Sequence, residues 1–187
     1  MESIIKLTVD ALRTGKTILY PTDTIWGIGC DATHFNAIEK IYSLKQRDHA
    51  KSMLILCADE EMLREYIPNL NPQALDLALH SERPTTVIFP HAQNLPSNLL
   101  AADGSIGIRI PKMDFCQSVL RQFGKPIVST SANLSGEPSP KCYGEISPAL
   151  RERIDYCVPN REEFIENGKG SKIVKIDAEG NLIIIRP

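Results

Sequence analysis

Ile127-Val128-Ser129-Thr130-Ser131-Ala132-Asn133-Leu134-Ser135-Gly136 sets an apolar strand directly before an unbroken run of hydroxyls, one amide and a glycine. Ile127 to Ser129 reads as a buried strand, because a short apolar run bounded by turn residues suits a strand covered on both faces. The run that follows is a dense array of neutral donors, able to hold phosphate or carboxylate without adding charge. The same residues could cap their own turn. Their place at the end of a strand favours a ligand.

The rest of the chain alternates helices with short apolar strands. Ile5, Val9 and Leu12 share one face of a first helix, with Gly15 placed to end it. Thr17 to Tyr20 is a strand closed by Pro21. Phe35, Ile38, Ile41, Tyr42 and Leu44 have helical spacing, as do Leu75 and Leu79 after Pro72, and Phe115, Val119, Leu120 and Phe123 before Gly124. Further strands are expected at 53–57, 86–89, 106–109, 173–175 and 182–185. The pattern predicts an α/β or α+β fold with a mixed sheet, as a single domain over 1–187. The Pro-, Ser- and Gly-rich stretch 135–148 is expected to be an ordered loop over a site, since the sheet resumes after it.

Composition narrows the function. Of 187 residues, 21 are Lys or Arg and 23 Asp or Glu, so no overall charge draws the chain to nucleic acid. No apolar run suits a membrane span, and Met1 to Lys6 is too polar for a signal peptide, so a cytoplasmic location is expected. Cys30, Cys57, Cys116, Cys142 and Cys157 are odd in number and widely spaced, which argues for buried small hydrophobes rather than disulfides or zinc. His34, His49, His80 and His91 lack metal-ligand spacing.

Two motifs are decoys. Gly15-Lys16-Thr17 resembles the end of a P-loop, but Asp10 stands where the motif needs glycine, and the segment precedes its strand. Gly27-Ile28-Gly29-Cys30-Asp31-Ala32 fits a relaxed dinucleotide fingerprint, but near the ribose position the chain reads Lys51-Ser52, with no acid.

Two other segments carry chemistry. Pro21-Thr22-Asp23-Thr24-Ile25-Trp26-Gly27-Ile28-Gly29 places hydroxyls at a strand end, then glycines that either admit a ligand to the backbone or serve a tight turn. Lys45-Gln46-Arg47, with His49 and Lys51, gathers four potential cations at a helix C-terminus, where they could surround a polyphosphate or complement the helix dipole.

In this order, Pro21-Thr-Asp-Thr, Gly27-x-Gly29-Cys30-Asp31, Lys45-x-Arg47, Arg109-Ile110-Pro111, Ser129-Thr-Ser-Ala-Asn-x-Ser-Gly136 and Ile184-Ile185-Arg186-Pro187 resemble the YrdC/TsaC family of threonylcarbamoyl-AMP synthases. The resemblance covers nearly the whole chain. It implies a single YrdC-like α/β domain, with a twisted mixed sheet flanked by helices and a deep electropositive cleft. It implies a nucleotidyl transfer from ATP to the carbamate of L-threonine and bicarbonate, for threonylcarbamoyl modification of tRNA adenosine 37. A separate transferase complex completes that step. It further implies a phosphate-binding, catalytic tetrad of Lys45, Arg47, Ser131 and Asn133, with Arg109, Ser139 and Arg186 also on ATP, and Thr22, Ser129 and Ser171 on threonine. Mg²⁺ is expected to arrive with ATP as substrate, with no metal site of the protein's own and no tightly bound cofactor.

Two segments depart from the family pattern. Many members read Pro-Gly-Pro-Leu-Thr where this chain has Glu82-Arg83-Pro84-Thr85-Thr86, and Ser-Thr-Val-Val where it has Ser171-Lys172-Ile173-Val174. The first departure resembles the YciO-like branch. The retained Ser131-Ala132-Asn133 resembles the synthases. The rival reading is an RNA-binding or ribosome-maturation factor, with a weak affinity for RNA, double-stranded RNA included. Five Phe, five Tyr and one Trp in an acidic chain give that reading little support. A carbamoyl-phosphate or acylphosphate enzyme using the same cleft is the third.

Overall fold

The structure is a computed structural model and describes residues 1–162, 164, 168–177 and 179–187. Helix α1 (Glu2–Arg13) buries Ile4, Ile5, Val9 and Leu12 and exposes Leu7 on its other side. Strands β1 (Ile18–Tyr20) and β2 (Gly27–Gly29) pair antiparallel around the Pro21–Trp26 turn. Helix α2 (Phe35–Lys45) starts where the His34 ring accepts the Ala37 N–H, and ends at Gln46 in the left-handed region.

Strand β3 (Leu54–Leu56) precedes α3 (Glu60–Tyr66), capped by the Asp59 side chain, and α4 (Pro72–His80), capped by Asn71 with Pro72 in its first turn. Then come β4 (Thr85–Phe89), β5 (Ile106–Arg109), α5 (Asp114–Phe123), which ends at Gly124 with φ 77°, and β6 (Ile127–Ser131). A 3₁₀ turn (Tyr143–Glu145), the short α6 (Pro148–Arg151), β7 (Tyr156–Cys157), β8 (Lys172–Ile176) and β9 (Leu182–Arg186) complete the described elements.

One mixed sheet takes all nine strands in the order β7-β1-β2-β6-β3-β5-β4-β8-β9. β3 with β5, β4 with β8 and β1 with β7 are parallel, and the other neighbours are antiparallel. Helix α1 packs on α5, and the Arg13 guanidinium donates to the Gln122 carbonyl. The central strands alternate. Val87, Ile108 and Val128 are fully buried in the core, while their neighbours Thr86, Ile88, Gly107, Arg109 and Ser129 turn to the other face.

Some sequence expectations need correction. On α4 the buried residues are Ala74 and Ala78, while Leu75 and Leu79 stay partly exposed. Helix α4 packs against β4 and β8, and its two alanines supply its buried positions. Phe35 opens α2 but is half exposed, because the helix turns that face outward. The strand expected at 182–185 forms as β9 at the sheet edge, with Leu182 to Ile185 exposed on both faces. Cys30, Cys57 and Cys116 are buried, whereas Cys142 and Cys157 are only partly so.

Candidate active site

A cleft of ≈ 550 Å³ lies over the sheet face opposite Val87, Ile108 and Val128. The pairs Thr86/Ile88, Gly107/Arg109 and Ser129/Ser131 line it, each pair two residues apart on its strand. This follows from strand geometry, since alternate side chains share a face. Gly107 keeps the floor open: a Cβ there would stand 3.1 Å from the Thr86 methyl and 3.4 Å from the Leu54 Cβ.

Five cations line the cleft, Arg47, Arg83, Arg109, Lys169 and Arg186, and no Asp or Glu side chain appears among the described lining residues. The left-handed Gln46 aims Arg47. It swings the chain out of α2 while the Arg47 N–H still bonds the Tyr42 carbonyl at 3.0 Å. The guanidinium then braces its own loop, with Nε 2.8 Å from the Lys51 carbonyl and a terminal nitrogen 3.0 Å from that of Ser52.

Arg186 likewise donates to the Ser171 carbonyl at 2.9 and 2.6 Å and to its hydroxyl at 3.2 Å. Burial lowers the pKa of both arginines, and the Arg109 charge adds to the effect at Arg186. Arg109, 3% exposed, is paired with Asp23 and leaves its Nε without a protein partner.

The rest of the lining is hydroxyl-rich. The Ser171 and Thr86 hydroxyls lie 2.8 Å apart, both buried. The Thr22 hydroxyl lies 2.8 Å from that of Thr24, bonds the Ile25 carbonyl at 2.8 Å and accepts the Thr24 N–H at 3.1 Å. Ser129 is buried, and the Tyr20 phenol near it donates to the Val128 carbonyl at 3.5 Å, its pKa raised strongly by burial. Ser131 is half-buried and Ser139 exposed, both on the lining.

The structure therefore brings Thr22, Arg47, Arg109, Ser129, Ser131, Ser139, Ser171 and Arg186 to one cleft. It places Lys45 and Asn133 behind the wall instead. Lys45 is 1% exposed, and its ammonium group bonds the Ser131 carbonyl, the Asn133 carbonyl at 2.6 Å and, more weakly, Asn133 Oδ1 at 3.4 Å. The Asn133 amide donates to the carbonyls of Leu134 and Glu137. His49 and Lys51 do not join the cations of the cleft either. The His49 ring stacks on Tyr42 at 4.2 Å and its Nε2 lies 3.2 Å from Glu39.

Sequence reading missed Thr24, Thr86, Arg83 and Lys169. The first two carried a signal, as they share the turn of Thr22 and the strand period of β4. Arg83 stood out only as a departure from a pattern. Among the described residues no cluster of His, Cys, Asp or Glu could hold a metal, and no helix is long and apolar enough to cross a membrane.

This is the mixed α/β fold of the solved Sua5 and YciO structures. Sua5 of P. abyssi, crystallised with L-threonine, superposes with a TM-score of 0.85 at 24% identity, over 98% of this chain and 53% of that one. E. coli YciO superposes with a TM-score of 0.82 at 24% identity, over 100% of this chain and 89% of that one. A family model built on Sua5, YciO and YrdC, described as "telomere recombination", matches residues 10–187. A curated relative from Photobacterium profundum, named threonylcarbamoyl-AMP synthase, is 35% identical over 151 residues, 78% of this chain and 80% of its own length. The chain belongs to the Sua5/YciO/YrdC family.

Proposed function

We propose that the chain is a nucleotidyltransferase that makes threonylcarbamoyl-AMP from L-threonine, bicarbonate and ATP, releasing pyrophosphate. The observation that carries this reading is a hydroxyl-lined cleft ringed by five cations with no Asp or Glu side chain among its described lining residues. Such a lining suits two anionic substrates, a triphosphate and an amino-acid carbamate. A volume of ≈ 550 Å³ is in the range of small-molecule sites. A relative that carries the synthase name at 35% identity supports the same activity.

The threonine amine and bicarbonate give a carbamate, a new C–N bond forming as water is lost. One of its oxygens attacks the α-phosphorus, forming the new P–O bond as the bond to the β-phosphate bridging oxygen breaks and pyrophosphate leaves. Charge grows on the α-phosphate and leaving-group oxygens, and fixed cations already in place lower the barrier without reorganising. Arg47, Arg186 and Lys169 would serve these oxygens, with the Ser131 and Ser139 hydroxyls as neutral donors. The bed formed by Thr22, Ser129, Ser171 and Thr86 would hold threonine. The described lining offers a protein-bound metal no Asp or Glu side chain, so Mg²⁺ would enter on the triphosphate. The product would pass to a tRNA-modifying transferase, and the enzyme would work in the cytoplasm.

Pyrophosphate release with Mg-ATP and bicarbonate, with and without threonine, tests this. Threonine-dependent release is expected. Release that ignores threonine, or responds to carbamoyl phosphate in its place, would overturn the reading.

A further inference from the structure

We propose that Lys45 is a positioning residue rather than a phosphate ligand. Its buried ammonium group draws the carbonyls of Ser131 and Asn133 inward and so shapes the hydroxyl-bearing turn that faces the cleft. That the anion is a nucleotide rests on the synthase reading, whereas the turn's geometry does not.

A lysine ammonium has three N–H donors and no acceptor. Three oxygens surround that of Lys45: the Ser131 carbonyl, the Asn133 carbonyl at 2.6 Å and Asn133 Oδ1 at 3.4 Å. Serving a phosphate would mean releasing one of them, across a wall in which Lys45 is only 1% exposed. The link also runs the other way, as the Ser135 N–H donates to the Lys45 carbonyl at 2.9 Å. The end of α2 and the turn after β6 are therefore tied at both a side chain and the main chain. Asn133 closes the ring by donating to the Leu134 and Glu137 carbonyls at 3.1 and 2.6 Å.

The electrostatic result matters for an anion. A turn carries carbonyl oxygens with partial negative charge, which would repel phosphate if they faced the cleft. A cation behind the wall turns two of them away, and Ser131 remains on the lining. The charged groups facing the ammonium are Arg47 on its own segment and Glu137 from the turn. Burial, followed by Arg47, pulls the Lys45 pKa down to about 8, while Glu137 opposes the shift. Mild alkali therefore removes the charge that holds the turn.

The test is amide hydrogen exchange over residues 131–137 in the ligand-free protein, comparing wild type with Lys45→Met. Methionine keeps much of the stem's volume and loses the charge. Exchange in that turn is expected to accelerate about tenfold or more, with the central strands unchanged, as a charged hydrogen-bond hub is lost. Unchanged exchange together with a tenfold weaker Mg-ATP affinity would overturn the proposal and make Lys45 a direct ligand.

If the variant does not fold, wild type alone decides. Turn exchange corrected for base catalysis should rise between pH 7 and 9.5, and a flat profile would overturn the proposal. Neither exchange readout uses nucleotide, so a wild type that releases no pyrophosphate defeats the synthase reading and leaves this one standing.

Discussion

Arg109 on β5 is held by Asp23 in the turn between β1 and β2, 86 residues away in sequence. The other oxygen of the same carboxylate accepts the Lys112 main-chain N–H at 3.1 Å, so Asp23 fastens both the end of β5 and the segment beyond it to the turn. Asp23→Ala would leave a guanidinium at 3% exposure uncompensated. Breaking a buried pair from one side costs about 3–5 kcal/mol, and urea unfolding followed by circular dichroism should show a loss of that size. A loss below about 1 kcal/mol, the range of exposed pairs, would mean that solvent already screens the charge.

The two glycines of β2 should behave differently. A Cβ on Gly29 would stand 2.3 Å from the Val128 carbonyl oxygen, a backbone atom that cannot step aside. A Cβ on Gly27 would meet nothing nearer than the Ser129 hydroxyl at 3.3 Å. Gly29→Ala should therefore destabilise by several kcal/mol or fail to accumulate as soluble protein, consistent with overpacking costs of about 1–3 kcal/mol or more. Gly27→Ala should keep its melting temperature and lose ligand affinity, because the added methyl borders the cleft. Equal melting temperatures for the two variants would contradict the strand pairing.

Arg47→Ala should lower threonine-dependent pyrophosphate release by about a hundredfold or more, the usual effect of removing one contact to developing charge. Its thermal midpoint should fall only slightly, since the side chain braces carbonyls of its own loop. Turnover within a few-fold of wild type would assign the residue to loop bracing alone.

Thr22→Val tests a hydroxyl already engaged within its turn. Its bonds to Thr24 and the Ile25 carbonyl are buried, so the free protein should lose about 1–3 kcal/mol. The KM for threonine should rise more than that for ATP, as the turn borders the hydroxyl bed. An unchanged melting curve would contradict the engagement of Thr22 with Thr24 and Ile25.

The buried thiols set an alkaline limit. Burial raises Cys30 and Cys57 far above the ordinary thiol range and Cys116 to about 12. An unfolded thiol ionises near pH 8.5. Above that pH the unfolded chain has lost these protons and the folded chain keeps them, so stability is full below about pH 8.5 and falls as pH rises further. Denaturant midpoints at pH 7.5, 9 and 10 should decline, and a Cys30→Ala/Cys57→Ala variant should decline less steeply.

Residues with a periodic side-chain signal made much of this fold legible. Apolar runs marked β1, β3, β4, β5, β6, β8 and β9, and spaced apolar residues marked α1, α2 and α5. Strand β2 was hidden because Gly-Ile-Gly carries a single side chain, and its glycines exist for packing as much as for a ligand. Helix α3 has only Leu63 and Tyr66 buried, too few to show a period. In the cleft, Arg47, Ser129 and Ser131 could be singled out, since charge and hydroxyl content are local properties. The burial of Lys45 could not, because a basic residue at a helix end reads as a solvated cation until the turn of Asn133 folds over it. The Asp23–Arg109 pair depends on a contact across the sheet that no local pattern announces.

The cleft draws on β2 near residue 27, on β6 near 130 and on β8 and β9 from 171 to 186. Contacts at such sequence separation form slowly, after much of the chain has been ordered. During ribosomal synthesis the N-terminal segments emerge first, and the wall supplied by Arg186 cannot exist until its codon has been read. Abundant nucleotide in the surrounding solution therefore has nothing complete to grip while the peptide is still growing. The nascent polypeptide must reach a near-native sheet on its own packing energy, and substrate can begin to protect it only after the final strand has docked.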